Sequence, residues 1–381
     1  MSVDTTVHPV TSEGPYDYNY DLMDLSAALG VEPGPESLES EDPETLNSST
    51  KRRFEFLNSS SLVQSEIYLK SPRTPGSSEV DSDTGSEVPA AMDHTRLVMP
   101  IHRILSVLCR RVIASAISRG SFNSTDAKGK GNSGKSDILV SIIGAGGFAL
   151  PSHLLALNHS LPEGRALTVH AVEPEERVLR AARDFFGAEY SMSCEGEGKG
   201  EGAGRGSTCR PSSTQVIAYG TDGLTYLRDL SSSKDLKSSS SSSGGVDFLV
   251  IDAFEETPPP GFGPADSFSN RAPPSSLVSP SLFVDCLRPC SSGSKSRDSR
   301  ETENESGQEG LKSLGSILSS GGGDGGGRGG GVLAMNLFGP SEWIQEVYAA
   351  VQSCPGLSRP VLLRIKGEKN ILLVASRTSG V

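Results

Sequence analysis

The sequence predicts an α/β chain: one mostly parallel sheet with helices on both faces, an antiparallel hairpin at its end and a small β-hairpin extension before it. Three observations carry this. From residue 137 onward, short apolar runs alternate regularly with segments of helical periodicity. The run at 246–251 is almost wholly apolar, as a central strand covered on both faces must be. The last two runs, 361–365 and 371–375, are joined by a tight turn at 367–370, which makes them antiparallel.

Residues 1–50 are acidic and rich in Pro and Ser, and are expected to form a disordered tail, with a short helix or docking motif at 22–29 as the exception. Runs at 53–57 and 62–70, separated by 58–61, read as a hairpin. Ser-Pro, Thr-Pro and Gly-Ser pairs mark 71–87 as a linker. Ile101, Ile104, Leu105, Leu108, Val112 and Ile113 recur at helical spacing and predict a helix over 99–118, followed by a Gly/Lys/Ser loop at 128–135. The alternation then gives strands at 138–143, 167–172, 215–218, 246–251 and 332–337, and helices at 148–158, 175–186, 223–230, 279–287 and 341–351. Pro151 falls in the first turn of its helix, where its missing N–H does no harm, and Gly187 closes the next one. Trp343 and Tyr348, on the last helix, are expected in the core. Segments 195–213, 231–245 and 291–330 are low-complexity insertions between helix and strand, where surface loops tolerate extra length. The expected organisation is a tail at 1–50, a hairpin extension, linker and bridging helix at 51–135, and a core at 136–381.

Composition narrows the function. Only 35% of the 381 residues are hydrophobic, and Gly (43) and Pro (24) are abundant, so one domain with inserts suits the chain better than two or three. A net charge of -12 argues against a general binder of nucleic-acid phosphates. No apolar run approaches the roughly 18 residues of a membrane span. The first twenty residues contain acids but no Lys or Arg, unlike secretory or mitochondrial signals. The six cysteines are scattered, and Cys286 and Cys290 have no second pair at metal-ligand spacing; reduced thiols in a cytoplasmic protein and no metal site are expected.

The strongest local signal is Gly144-Ala145-Gly146-Gly147 at a strand-to-helix junction, where glycines allow a tight turn and close approach of a ligand. The next strand ends in Glu173, placed to accept both ribose hydroxyls of a nucleoside cofactor. Gly144, Gly146 and Ala149 also satisfy the dinucleotide pattern, which keeps a nicotinamide enzyme in consideration; Glu173 lies 29 residues beyond Gly144, against about 20 for that fingerprint. Asp222-Gly223 follows the third core strand, where the acid can accept a hydrogen bond from an adenine amino group, and Asp252 ends the fourth. Any one of these acids also reads as a helix cap. Together they give glycine, acid, acid, acid on four successive strand ends, the pattern of the Rossmann-like, seven-stranded methyltransferase sheet.

Four segments resemble something narrower: Arg52-Arg53-Phe54-Glu55-Phe56-Leu57, Leu62-Val63-Gln64-Ser65-Glu66, Met92-Asp93-His94 and Ile101-His102-Arg103. They are similar to the amino-terminal elements of the spermidine-synthase-like branch. Within it they resemble the carboxy-terminal domain of the elongation-factor lysine and N-terminal methyltransferase (methyltransferase-like 13) family, over residues 51–376 apart from the inserts. The resemblance implies S-adenosylmethionine as cofactor, a protein amine as acceptor, with elongation factor 1A as the partner, and a homodimer. On this reading Gly144, Gly146 and Gly147 cradle the methionine portion of the cofactor, Glu173 the ribose, and Asp222 with Gly223 the adenine. Gln64 and His102 complete the pocket, and Asp252 is the catalytic group facing the acceptor amine. His102 otherwise reads as a packed helix residue, and Gln64 as an ordinary strand residue. Two departures bear on substrate. Asp252-Ala253-Phe254-Glu255 replaces the Asp-x-x-Asp segment of aminopropyltransferases, and Ile101 stands where a Tyr is common. No segment matches the lysine-methylating half of the double-domain family, so that activity is not carried over. Polyamine aminopropyl transfer and a cofactor-binding scaffold without turnover stay open as alternatives.

Overall fold

The computed structural model describes residues 19–20, 27, 29, 51–56, 59–69, 92–121, 138–157, 161, 165–193, 214–232, 245–254, 271–289, 314, 317–318, 330–365 and 368–378. The expected linker at 71–87, the loop at 128–135, the insert at 195–213, most of the other two inserts, Glu255 and Cys290 lie outside them.

The core strands are β5 (Ile138–Ile143), β6 (Leu167–Val172), β8 (Gln215–Tyr219), β9 (Phe248–Ile251), β10 (Val332–Leu337), β11 (Val361–Ile365) and β12 (Ile371–Ser376). They lie side by side in the order β8-β6-β5-β9-β10-β12-β11. β12 runs antiparallel to both neighbours, and the other pairings among the seven are parallel. Numbered by position in the chain that order is 3-2-1-4-5-7-6, the arrangement of the seven-stranded methyltransferase sheet. Two short strands extend it: β7 (Ser191–Met192) beside β8, and β1 (Asn19–Tyr20) parallel to β11.

Strand periodicity sorts the side chains into two layers. Val140, Ile142, Val169, Ala171, Phe248, Val250, Val332 and Ala334 share one buried cluster with α1 (Pro100–Ser121), α2 (Ala149–Ala156) and α3 (Glu176–Phe186). Ile143, Leu249, Ile251, Leu333, Met335 and Leu337 face the other way. They pack with α4 (Gly223–Ser232), α5 (Pro280–Cys286) and α6 (Ser341–Gln352). Each fully buried Leu, Ile, Val or Phe contributes about 1.5–3 kcal/mol, so a sheet apolar on both faces explains why the fold survives so much low-complexity sequence. Gly187 closes α3 in the left-handed conformation (φ +61°), and Trp343 is buried on α6.

The extension has three strands: β2 (Lys51–Phe56) pairs antiparallel with β3 (Ser59–Leu69), and β3 with β4 (Met92–Leu97). The hairpin is as expected from its sequence; β4 is an addition. So are β1 and the buried Leu29, which bring parts of the expected tail into the fold. Leu314, Ile317 and Leu318, inside the third insert, are buried in the α1-side cluster. Among the described residues, no helix is long and apolar enough to cross a membrane, and no group of His, Cys, Asp and Glu could hold a metal ion.

Candidate active site

Register builds the site. Tyr219 pairs with Val172, Val172 with Ile143, Ile143 with Ile251, and Ile251 with Met335, one continuous rung across five parallel strands. The next residue on each strand is Gly220, Glu173, Gly144, Asp252 and Asn336. Five apolar strands therefore deliver two acids, an amide and two glycines together at their carboxyl edge. The centre of this row is the β5/β9 pair, from which the strand order runs in opposite directions. Ligands of open α/β sheets bind at such a switch point.

Gly144 has a φ of +84°, and a Cβ there would lie 2.5 Å from the Asp252 carbonyl oxygen and 2.7 Å from Ala253 Cα. The neighbouring strand's backbone, rather than ligand approach alone, thus requires glycine. The Gly144 and Ala145 N–H groups both donate to the Val172 carbonyl, at 3.0 and 3.2 Å. Gly146, at φ +51°, turns its N–H to donate to Glu173 Oε2 at 3.1 Å. Glu173 is buried, and its Oε1 accepts the Glu175 N–H at 3.2 Å. The glycine turn and the acid after β6 are therefore one hydrogen-bonded unit. A carboxylate has about four acceptor positions, so a diol can share it with these N–H groups. Left-handed glycines, an inward N–H and a buried carboxylate fit a nucleoside cofactor.

Asp222 caps α4: its Oδ1 accepts the Thr225 N–H at 2.9 Å. Hydrogen bonds from the Thr225 side chain and backbone hold its carboxyl below the ordinary carboxylate range. Capping leaves room for adenine recognition because Asp222 is exposed. Gly223 serves packing: a Cβ would strike Ile143 Cγ2 and meet Leu277 at 3.0 Å. Gln64 lies in β3, and its side chain is outside the described residues.

Asp252 has a partner on each oxygen. Its Oδ2 is 3.1 Å from His102 Nε2, and its Oδ1 accepts a hydrogen bond from Asn336 Nδ2 at 2.7 Å. Asn336 Oδ1 accepts in turn from Asn370 Nδ2 at 2.9 Å, which fixes which end of the Asn336 amide faces the acid. The chain His102–Asp252–Asn336–Asn370 joins α1, the ends of β9 and β10, and the turn before β12. His102 is expected from sequence to complete the cofactor pocket; the structure sets its ring against Asp252. Asn336 and Asn370 are not singled out by the sequence reading. The available signal is the amide of Asn336 within an otherwise apolar, fully buried strand, since a buried amide needs partners.

No family model and no curated protein matches the chain. Among solved structures it is similar to the crystal structure of human methyltransferase-like protein 13 in complex with SAH, at 16% identity and a TM-score of 0.39, over 74% of this chain and 83% of that one.

Proposed function

We propose that the chain is an S-adenosylmethionine-dependent methyltransferase acting on a protein amine in the cytoplasm. The N-terminal α-amine or a lysine of elongation factor 1A is the acceptor that the sequence resemblance suggests. The observation carrying the reading is the row of strand ends: a left-handed glycine turn bonded to a buried acid on one side of the switch point, and an anchored acid on the other.

The cofactor supplies a methyl group on a cationic sulfur, ready for in-line displacement. The protein's share is then positioning, worth ~7–11 kcal/mol in well-oriented systems. Gly144, Gly146 and Gly147 form the turn against the methionine portion, Glu173 accepts the ribose hydroxyls, and Asp222 and Gly223 border the adenine. Asp252 receives the acceptor amine. That amine attacks only when neutral. At pH 7 deprotonation costs a lysine roughly 4–5 kcal/mol and an α-amine about 1, so a site with modest base strength suits the α-amine.

Thermal shift of the full chain with S-adenosylmethionine, its decarboxylated form, S-adenosylhomocysteine and NAD tests the reading. A ligand at a hundred times its Kd adds roughly 2.7 kcal/mol. Stabilisation by S-adenosylmethionine and S-adenosylhomocysteine is expected. Stabilisation by the decarboxylated form alone would replace the reading with aminopropyl transfer, by NAD alone with hydride transfer, and by none with a scaffold.

A further inference from the structure

His102 is 5% exposed, and its Nε2 faces Asp252 Oδ2 at 3.1 Å. As a carboxylate, Asp252 only accepts, so the proton on this imidazole sits on Nε2 and the lone pair on Nδ1. Nδ1 is buried and has no hydrogen-bond partner among the described residues. His94 Nδ1, on β4, is likewise buried and has no hydrogen-bond partner among the described residues. Two other imidazoles near the sheet have both nitrogens engaged. His153 has Nε2 bonded to Ser106 Oγ at 3.0 Å and Nδ1 to the His94 carbonyl at 3.0 Å. His170 has Nδ1 bonded to Tyr226 OH at 2.7 Å, with Tyr219 OH 3.5 Å from Nε2. A buried acceptor nitrogen without a donor is costly unless water or a ligand brings one. Asp252, meanwhile, has both oxygens engaged, by His102 and by Asn336.

We propose that His102 Nδ1, oriented by Asp252, is the proton acceptor for the substrate amine, so that Asp252 serves as the orienting partner rather than as the base. This rests on the methyl-transfer reading above and deepens it. A base hydrogen-bonded through its second nitrogen to a fixed carboxylate is the arrangement that sets tautomer and direction in hydrolytic triads. The neutral amine donates one N–H to Nδ1 and turns its lone pair to the methyl carbon. The new N–C bond forms as the C–S bond breaks, and the bonding pair leaves with sulfur as a neutral thioether. The N-methylammonium then gives its proton to Nδ1. The resulting imidazolium lies beside the Asp252 carboxylate, whose charge balances it, and returns the proton to solvent. An acceptor with no proton to lose, such as a carboxylate or a thioether, gains nothing from such a base, which fits the site to acceptors that carry one, amines among them.

Two measurements on the full chain test this. Nitrogen-15 spectra of the imidazoles, without ligand, report the His102 tautomer. A protonated Nε2 and an unprotonated Nδ1 are expected, and the opposite tautomer would overturn the proposal whichever acceptor is used. Single-turnover methylation of a peptide with the amino-terminal sequence of elongation factor 1A then compares wild type with His102→Gln. That variant keeps an amide N–H for Asp252 but has no basic nitrogen. The expected loss is roughly 10²- to 10⁴-fold in rate, with S-adenosylmethionine affinity held within about twofold. A His102→Gln enzyme as fast as wild type would reduce His102 to holding Asp252. If S-adenosylmethionine does not bind the wild-type chain, the methyl-transfer reading itself fails; if it binds and turns over but His102 has the wrong tautomer, only the proton assignment fails.

Discussion

Two polar clusters sit against opposite faces of the same sheet, and each is built around a histidine. On the α4 face, Tyr226 OH lies between Ser141 Oγ (2.8 Å) and His170 Nδ1 (2.7 Å), with Tyr219 OH 3.5 Å from His170 Nε2. Ser141 and His170 lie two residues below the rung that ends the strands, and the cluster contains no formal charge. On the α1 face, His102 meets the Asp252 carboxylate one residue beyond that rung, and Asp252 in turn accepts from the Asn336 amide. The first cluster satisfies its ring nitrogens internally; the second leaves Nδ1 open. Similar side chains are thus a packing device inside the sheet and a candidate reaction centre at its edge. Changes in the α1-face cluster should act on rate more than on stability, and changes in the other should do the reverse.

The largest effect is expected from Asp252→Asn. Both groups facing this side chain are donors in the tautomer drawn above, and an amide offers only one acceptor. One donor is left unmet, at about 1–3 kcal/mol of stability. Methyl transfer falls by roughly 10²- to 10⁴-fold as the base loses its orienting charge. Chemical denaturation and single-turnover assays read the two losses separately. Equal free-energy losses in both would mean that Asp252 is structural, and the contrast between the clusters would collapse. Gly144→Ala follows. Its left-handed φ costs about 1–2 kcal/mol for a residue with a Cβ, and overlap with the Asp252 backbone adds about 1–3 kcal/mol. Gly146→Ala, with only the φ penalty in view, is expected to lose about 1 kcal/mol in the same denaturation series.

The α4-face cluster makes a pH prediction. Burial lowers the His170 pKa from 6.5 to about 4. The unfolded chain therefore takes up a proton near pH 6.5 that the folded chain resists until about pH 4. Its contribution to stability is complete above pH 6.5 and is lost as pH falls towards 4, by roughly 2–3 kcal/mol. Urea denaturation of wild type and His170→Asn at pH 7 and pH 5 checks this: wild type should lose more on acidification. Parallel pH curves would show that His170 is hydrated rather than held neutral by its surroundings.

What could be read in the sequence follows from the same physics. Parallel strands end where their apolar runs end, so Gly144, Glu173 and Asp252 are visible as the residues that stop each run, and Asp222 as the acid three residues beyond the end of β8. The two halves of the Asp252 anchor are not. Asn336 sits inside a run scored as strand, and Asn370 in a turn whose residue type already suits a turn. Their pairing depends on β10 and β12 lying side by side, a long-range fact. β1 and β7 have two residues each, too few for periodicity, and β4 (Met92-Asp93-His94-Thr95-Arg96-Leu97) has polar residues at four of its six positions. Leu29, Leu314, Ile317 and Leu318 lie in tracts dominated by acids, Ser and Gly, yet each joins the core. A few apolar residues are enough to anchor a segment when the sheet already offers them a surface.

Asn370→Ala is the smallest change and the sharpest test of how the edge is held. Asn370 touches neither Asp252 nor His102 in the hydrogen-bond chain; it donates to Asn336 Oδ1, and Asn336 donates to Asp252. Without Asn370 the Asn336 amide loses the contact that distinguishes its oxygen from its nitrogen. A flipped amide would turn an oxygen towards the carboxylate. The lost hydrogen bond is worth about 1 kcal/mol, or roughly fivefold in the population of the productive orientation. The expected result is a fall of about fivefold in kcat with KM for the peptide unchanged. The loss should disappear in an Asn336→Ala background, because the relay is already broken there. If Asn370→Ala costs the same with and without Asn336, its effect runs through the β11–β12 turn instead, and Asp252 is held by His102 and Asn336 alone.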